Sequence, residues 1–211
     1  NGGSWQATPR PVPADTDEWN HSFRGPNRLP VSNDAWITPI TGVAWIAGGD
    51  PKGPLWGQRI DDGRLFELTK LPKEDTGEKD ETTWVMARDA QSGVLLWKRK
   101  VNIRRMPSFA GSFFGSSQSF VAANGRVYCF LEEDGPLVAL DAATGKDALR
   151  FEQAGRLKPA TAQNRDGKQV PTDPDGLGSS ATLVSGDGLL LTMRDTLWMM
   201  DAKTGAVRWQ V

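Results

Sequence analysis

The chain has 211 residues and a mass of 23.0 kDa, enough to bury a full hydrophobic core. Its 25 basic and 26 acidic residues leave a net charge of −1, which excludes a global electrostatic pull toward nucleic acid or an anionic membrane. No apolar run is long enough to span a bilayer, and a single cysteine excludes an intrachain disulfide, a zinc cluster of cysteines and a Cys-x-x-Cys-His haem attachment.

Residues 1–54 read as an N-terminal leader in extended conformation, because proline and glycine punctuate them throughout and disfavour long helices. They contain the only histidine, His21, expected as an edge or loop residue. Asn20-His21-Ser22 also fits a glycosylation sequon, a pattern with many chance matches. Asp62-Gly63, between short apolar runs, is a hairpin signal, since glycine accepts the positive φ of tight primed turns. The charged stretch 72–81 is expected as a solvated hairpin tip. Ala87-Arg88-Asp89-Ala90-Gln91-Ser92-Gly93 follows, and Trp97 stands four residues after its glycine. Lys98-Arg99-Lys100 with Arg104-Arg105 read as the polar face of an outer strand and a linker, with a patch for an acidic partner as the alternative.

Phe109, Phe113, Phe114 and Phe120 surround a Gly/Ser-rich segment, expected as the inner strand of a second unit. Asn124-Gly125 then signals a hairpin between 120–123 and 126–131. Cys129 lies in that second strand and reads as a small buried hydrophobe. A second hairpin joins 137–140 to the stretch around 149–151 across Asp141-Ala142-Ala143-Thr144-Gly145, where the aspartate can bond its own downstream backbone and the glycine can close the turn left-handed. Leu149 stands where the first copy has tryptophan, and a looser or differently packed contact is expected there. Residues 154–180 read as a long insertion of the kind that carries binding surfaces. Within it Asp173, Asp175 and Gly176 hint at a calcium loop but lack a third acidic ligand and a distant bidentate glutamate, so turn chemistry explains them without a metal. The last unit repeats the order, with Asp187-Gly188 as its turn, Met199-Met200-Asp201-Ala202-Lys203-Thr204-Gly205 as its cassette and Trp209 after it.

The turn glycines Gly63, Gly125 and Gly188 are spaced 62 and 63 residues apart, so the chain is a repeat of about sixty residues with four strands per unit. A four-stranded unit cannot bury both faces alone, and radial stacking of such units is the β-propeller. The predicted fold is all-β, with about three four-stranded antiparallel blades at 55–101, 102–153 and 154–211. The structural residues of the repeat are Asp89, Gly93 and Trp97; Asp141 and Gly145; and Asp201, Gly205 and Trp209. Each indole is expected to lie near its own hairpin turn and to pack on a glycine peptide where blades meet, worth roughly 4–6 kcal/mol at most on burial.

The pattern Ala-x-Asp-x-x-Ser/Thr-Gly-x-x-x-Trp resembles the tryptophan-docking repeat of PQQ-like propellers, the superfamily of quinoprotein alcohol dehydrogenases and of the outer-membrane assembly lipoprotein. The likeness is full in the first copy, lacks the tryptophan in the second, and has Met199 for alanine in the third. The stretch from Trp19 to Arg24-Gly25-Pro26 is similar to a leader found before the first blade of exported bacterial PQQ-like repeat proteins. The resemblance implies a ring of seven or eight blades, of which this chain would be a part, and a periplasmic or secreted location. Three blades cannot close a ring, so their open edges are expected to be sealed by missing blades or a protein partner.

Quinoprotein dehydrogenases of this superfamily carry adjacent cysteines over the quinone, a catalytic aspartate, and Glu and Asn calcium ligands. Adjacent cysteines are absent here, no catalytic or metal residue is assigned, and no cofactor is evident. The leading expectation is therefore a non-catalytic exported scaffold or binding module for a protein or other macromolecule, not for nucleic acid. The alternatives are a fragment of a PQQ-dependent alcohol or sugar dehydrogenase, with quinone and calcium held by missing blades, and a structural subunit of a larger redox or envelope complex.

Overall fold

The computed structural model describes residue 21 and residues 55–80, 82–103, 120–132, 135–152, 160–163, 165–173, 181–193 and 196–211. The Gly/Ser-rich stretch 111–117 with Phe109, Phe113 and Phe114, the pair Arg104-Arg105, and Asp175 and Gly176 lie outside these residues. So do the leader positions other than His21.

Alternating apolar residues between tight turns fold into three four-stranded antiparallel sheets. Blade 1 comprises β1 (Leu55–Asp61), β2 (Arg64–Leu71), β3 (Thr82–Asp89) and β4 (Leu95–Val101), paired in sequence order. A helical turn at Lys73–Thr76, closed by Gly77 at φ 71°, occupies the charged connection between β2 and β3. Blade 2 comprises β5 (Val121–Ala123), β6 (Arg126–Phe130), β7 (Leu137–Asp141) and β8 (Asp147–Arg150). The short strands β9 (Ala160–Gln163) and β10 (Gln169–Asp173) form a separate hairpin, so the insertion between blades has structure of its own. Blade 3 comprises β11 (Ala181–Ser185), β12 (Gly188–Met193), β13 (Thr196–Asp201) and β14 (Val207–Gln210).

The first strands converge: β5 lies beside both β1 and β11. Burial grades outward from them, with β5 and most of β7 buried while β8 and β14 are largely exposed. This is the radial arrangement of propeller blades, and one continuous core runs through all three from Phe66 and Val85 through Tyr128 and Leu140 to Leu189 and Met200. The inner strand of blade 2 among the described residues is Val121–Ala123, with Phe120 buried just before it. Arg59 of β1 is buried beside it, its Nε donating to the Phe120 carbonyl at 2.7 Å and its guanidinium lying 5.4 Å from the Phe120 ring centre.

One correction follows from the register. Ser185 pairs with Gly188, so the third hairpin turns on Gly186-Asp187, and Asp187 occupies the position held by Gly63 and Gly125. The structural period is then 62 residues in both intervals. The first turn residue has a positive φ in all three blades, 49° at Asp62, 57° at Asn124 and 56° at Gly186, whereas the second does so only at Gly63 and Gly125. His21, expected as an edge or loop residue, lies in a bend outside the strands but is 2% exposed, and its Nε2 accepts a hydrogen bond from the Val184 amide of the inner strand β11 at 2.9 Å.

Cys129 is buried in β6, and desolvation pushes its thiol up to about 12. A thiol held neutral and covered is a poor nucleophile. Native protein at pH 8 is expected to leave Ellman's reagent unreacted over minutes and to release one equivalent of chromophore on denaturation. Rapid reaction of the native protein would show that β6 is not in the core.

Candidate functional site

The connections of each blade divide by end. The β1–β2, β5–β6 and β11–β12 turns and the cassettes lie at one end, tied together by backbone bonds from Ala90 to Gly63 at 3.0 Å, Ala142 to Gly125 at 2.9 Å and Ala202 to Asp187 at 2.8 Å. The longer β2–β3 and β6–β7 connections and the crossings from blade to blade depart from the opposite end.

Each cassette is a turn built around its aspartate. Asp89 Oδ1 accepts from the Ser92 amide and hydroxyl, both at 2.7 Å. Asp141 Oδ1 accepts from the Thr144 amide at 2.8 Å and hydroxyl at 2.7 Å. Asp201 Oδ1 does the same with Thr204 at 2.9 and 3.0 Å, and its Oδ2 takes Arg208 at 2.8 Å. Bonds from Ser92 hold the Asp89 carboxyl below its ordinary value, and bonds from Thr144 do so for Asp141. The Arg208 guanidinium, with Thr204, holds Asp201 well below the usual range. The closing glycines Gly93, Gly145 and Gly205 take φ of 71°, 67° and 76° and donate back to the aspartate carbonyls.

Those glycines are where blades meet. The half-buried Trp97 of blade 1 lies on the cassette of blade 2, not on its own turn: its Nε1 donates to the Ala142 carbonyl at 3.0 Å, and a Cβ on Gly145 would come within 2.6 Å of the indole. Arg99, two residues on and on the same face, donates to the Gly145 carbonyl at 2.7 Å and pairs with Asp147 at 2.8 Å. Between blades 2 and 3 the same positions carry Leu149 and Phe151, whose carbons would stand 3.4 and 3.6 Å from a Cβ on Gly205. The ring has moved two residues along the strand, consistent with the differently packed contact expected there. Trp209, at the equivalent position of blade 3, is 45% exposed.

The smaller Leu149 changes the turn end of the second contact. Where Trp97 donates to Ala142, Arg126 Nη1 donates to the equivalent Ala202 carbonyl at 2.6 Å, and Asn124 Nδ2 donates to Gly186 at 2.7 Å. A cleft of about 590 Å³ opens there, lined by Arg126, Tyr128, Ala202, Lys203, Asp187 and neighbouring turn residues. Tyr128 is buried and desolvation raises its phenol above the ordinary value. No sequence motif marks this cleft.

The basic cluster on β4 is engaged in the fold: Lys98 lies 4.8 Å from the Trp84 ring centre, Arg99 pairs with Asp147, and Lys100 pairs with Glu78 at 2.7 Å. The chain has no second cysteine for an adjacent pair, and among the described residues no three His, Cys, Asp or Glu side chains converge in a way that could hold a metal ion. Nor is any described helix long and apolar enough to cross a membrane.

Radially stacked four-stranded sheets interlocked through cassette glycines define a β-propeller segment. Residues 81–211 match the PQQ_2 family model, described as "Outer membrane protein assembly factor BamB", and the chain belongs to this family of PQQ-like propellers. Among solved structures it is similar to a europium-containing methanol dehydrogenase, with a TM-score of 0.51 and 17% identity over 92% of this chain and 32% of that one. It also matches quinohemoprotein alcohol dehydrogenase ADHIIG from Pseudomonas putida HK5, at 18% identity and a TM-score of 0.43 over 72% of this chain and 19% of that one. BamB from Moraxella catarrhalis matches at 12% identity and a TM-score of 0.25, over 73% of this chain and 57% of that one. No curated protein matches the sequence. The chain thus spans about a third of the methanol dehydrogenase it resembles.

The blade contacts generate a graded prediction. Trp97→Ala should cost about 3–5 kcal/mol in equilibrium unfolding. Gly145→Ala should cost roughly 2–4 kcal/mol, because it combines a positive φ with displacement of the indole, and Gly205→Ala less. Equal costs at the two glycines would contradict the geometry. For the turn itself, a carboxylate whose folded pKa lies below its unfolded value stabilises above the unfolded value, and that contribution is lost as pH falls. Asp201→Asn should therefore lower the melting temperature at pH 7, with the gap to the parent protein narrowing below about pH 4.

Proposed function

We propose that the chain is part of a non-catalytic, exported propeller scaffold that holds a protein or other macromolecular partner. One observation carries this reading: the histidine, the cysteine and the cassette aspartates are engaged in holding the fold. His21 Nε2 accepts from the Val184 amide, Cys129 is sealed in β6, and each of the three cassette aspartates commits its Oδ1 to its own turn. Membership of a family described as an outer membrane protein assembly factor is in keeping with a partner-binding role at the bacterial envelope. A partner's natural seat is the end bearing the long connections, since rigid blades present variable loops there at little ordering cost.

The outer flank of blade 3 belongs to the same reading. Trp209 and Val211, 45% and 76% exposed, occupy the positions that Trp97 with Arg99 and Leu149 with Phe151 use to grip the next cassette. A further blade, from the same polypeptide or a partner, would seat its own positive-φ glycine there.

The second reading, part of a quinone-dependent alcohol or sugar dehydrogenase, draws support from the fold likeness to the methanol dehydrogenase. The two separate in one assay on the full-length polypeptide, supplied with pyrroloquinoline quinone and calcium and offered primary alcohols and aldoses with an artificial electron-accepting dye. The scaffold reading expects no quinone-dependent dye reduction. Substrate-dependent reduction that is lost when calcium is chelated would overturn it.

A further inference from the structure

The arginines of the three blades differ in how their charge is compensated. Arg64, Arg88, Arg99, Arg150 and Arg208 each pair with a carboxylate, at 2.7, 3.2, 2.8, 3.1 and 2.8 Å respectively. Arg126 instead spends its Nη1 on neutral carbonyls, at 2.6 Å to Ala202 and 3.5 Å to Lys203. Lys203, exposed on the cassette of blade 3, has no ion-pair partner among the described residues. The acid at the rim, Asp187, is occupied by Arg208 at 3.1 Å. Two cations without carboxylates therefore flank the same cleft between blades 2 and 3.

That cleft is specific to this contact. Between blades 1 and 2 the carbonyl of Ala142 is covered by the Trp97 indole. At the equivalent Ala202 the indole is missing, and a guanidinium reaches across an open space of about 590 Å³ with Tyr128 among its walls. The volume falls in the range of small-molecule sites, which combine apolar walls with a few placed polar groups. A planar, two-oxygen anion matches the fork of an arginine, and a neighbouring ammonium adds a point charge that adapts to its position.

We propose that the cleft between blades 2 and 3 binds a small organic carboxylate, held by Arg126 and Lys203 with its apolar body against Tyr128 and Ala202. The site is independent of the scaffold reading, because it lies at the turn end of the blades, opposite the long connections. Its ligand gains charge-assisted bonds without displacing any carboxylate from Arg126 or Lys203.

The test is ligand-observed fluorine NMR on the full-length polypeptide, with 4-fluorobenzoate as probe and neutral 4-fluorobenzamide as its isostere. Saturable broadening is expected for the benzoate and not for the amide. Arg126→Gln and Lys203→Gln should each weaken binding about ten-fold, the scale of one lost charge-assisted hydrogen bond. Lys203 is exposed and its side chain makes no bond among the described residues, so Lys203→Gln keeps the test valid if Arg126→Gln fails to fold. No benzoate binding at millimolar concentration, equal binding of the amide, or binding unchanged in Lys203→Gln would overturn the proposal. Inorganic phosphate that displaces benzoate at lower concentration than benzoate itself requires would also overturn it, by assigning the cleft to phosphoryl groups.

Discussion

A four-stranded blade has two faces and too few residues to cover either by itself, so everything in this chain depends on how one blade closes over the next. The closure is made at a glycine in the left-handed region, where the absence of a Cβ lets a ring from the neighbouring outer strand lie on the peptide. Cassette aspartate, closing glycine and gripping side chain act as one device: the carboxylate holds the turn, the turn presents the glycine, and the glycine admits the neighbour. Contacts of this kind pass only between adjacent units, as in other repeat architectures.

The two contacts reach the same end by different chemistry. The first uses an indole whose N–H finds a carbonyl, backed by an arginine that bonds the cassette. The second divides those duties. Leu149 and Phe151 supply the apolar cover, and Arg126, from a different strand, supplies the hydrogen bond to the carbonyl. Redistribution of the polar role across the blade leaves cationic surface around an open space, and this is how a change in packing becomes a candidate binding site.

The blades were legible in the sequence because turn glycines and cassette aspartates act locally, through their own dihedrals and their own downstream amides. What a tryptophan touches is not local. Trp97 meets residues 45 to 48 positions further on, and only the stacking of sheets brings them together. The move from Trp97 to Phe151 left a faint signal, since positions 149 and 151 share one face of a strand, so an aromatic two residues late can do the same work. The cleft left none, because it is defined by a missing ring and by an arginine whose bonds are to backbone carbonyls. The burial of His21 was hidden likewise, in a contact with Val184 across 163 residues of chain.

The misplaced third turn carries a lesson about how such copies diverge. At Gly63 and Gly125 an added Cβ would meet nothing within 4 Å, so the only demand there is the dihedral, and the third turn, with positive φ at Gly186 alone, drops that demand and admits Asp187. At Gly145 the demand is double, dihedral and indole together, and no residue with a side chain satisfies both. Copies of this repeat are therefore free to drift at the hairpin and are pinned at the cassette. The repeat's most durable fingerprint is accordingly the glycine that faces another blade, and a turn that faces only water erodes first.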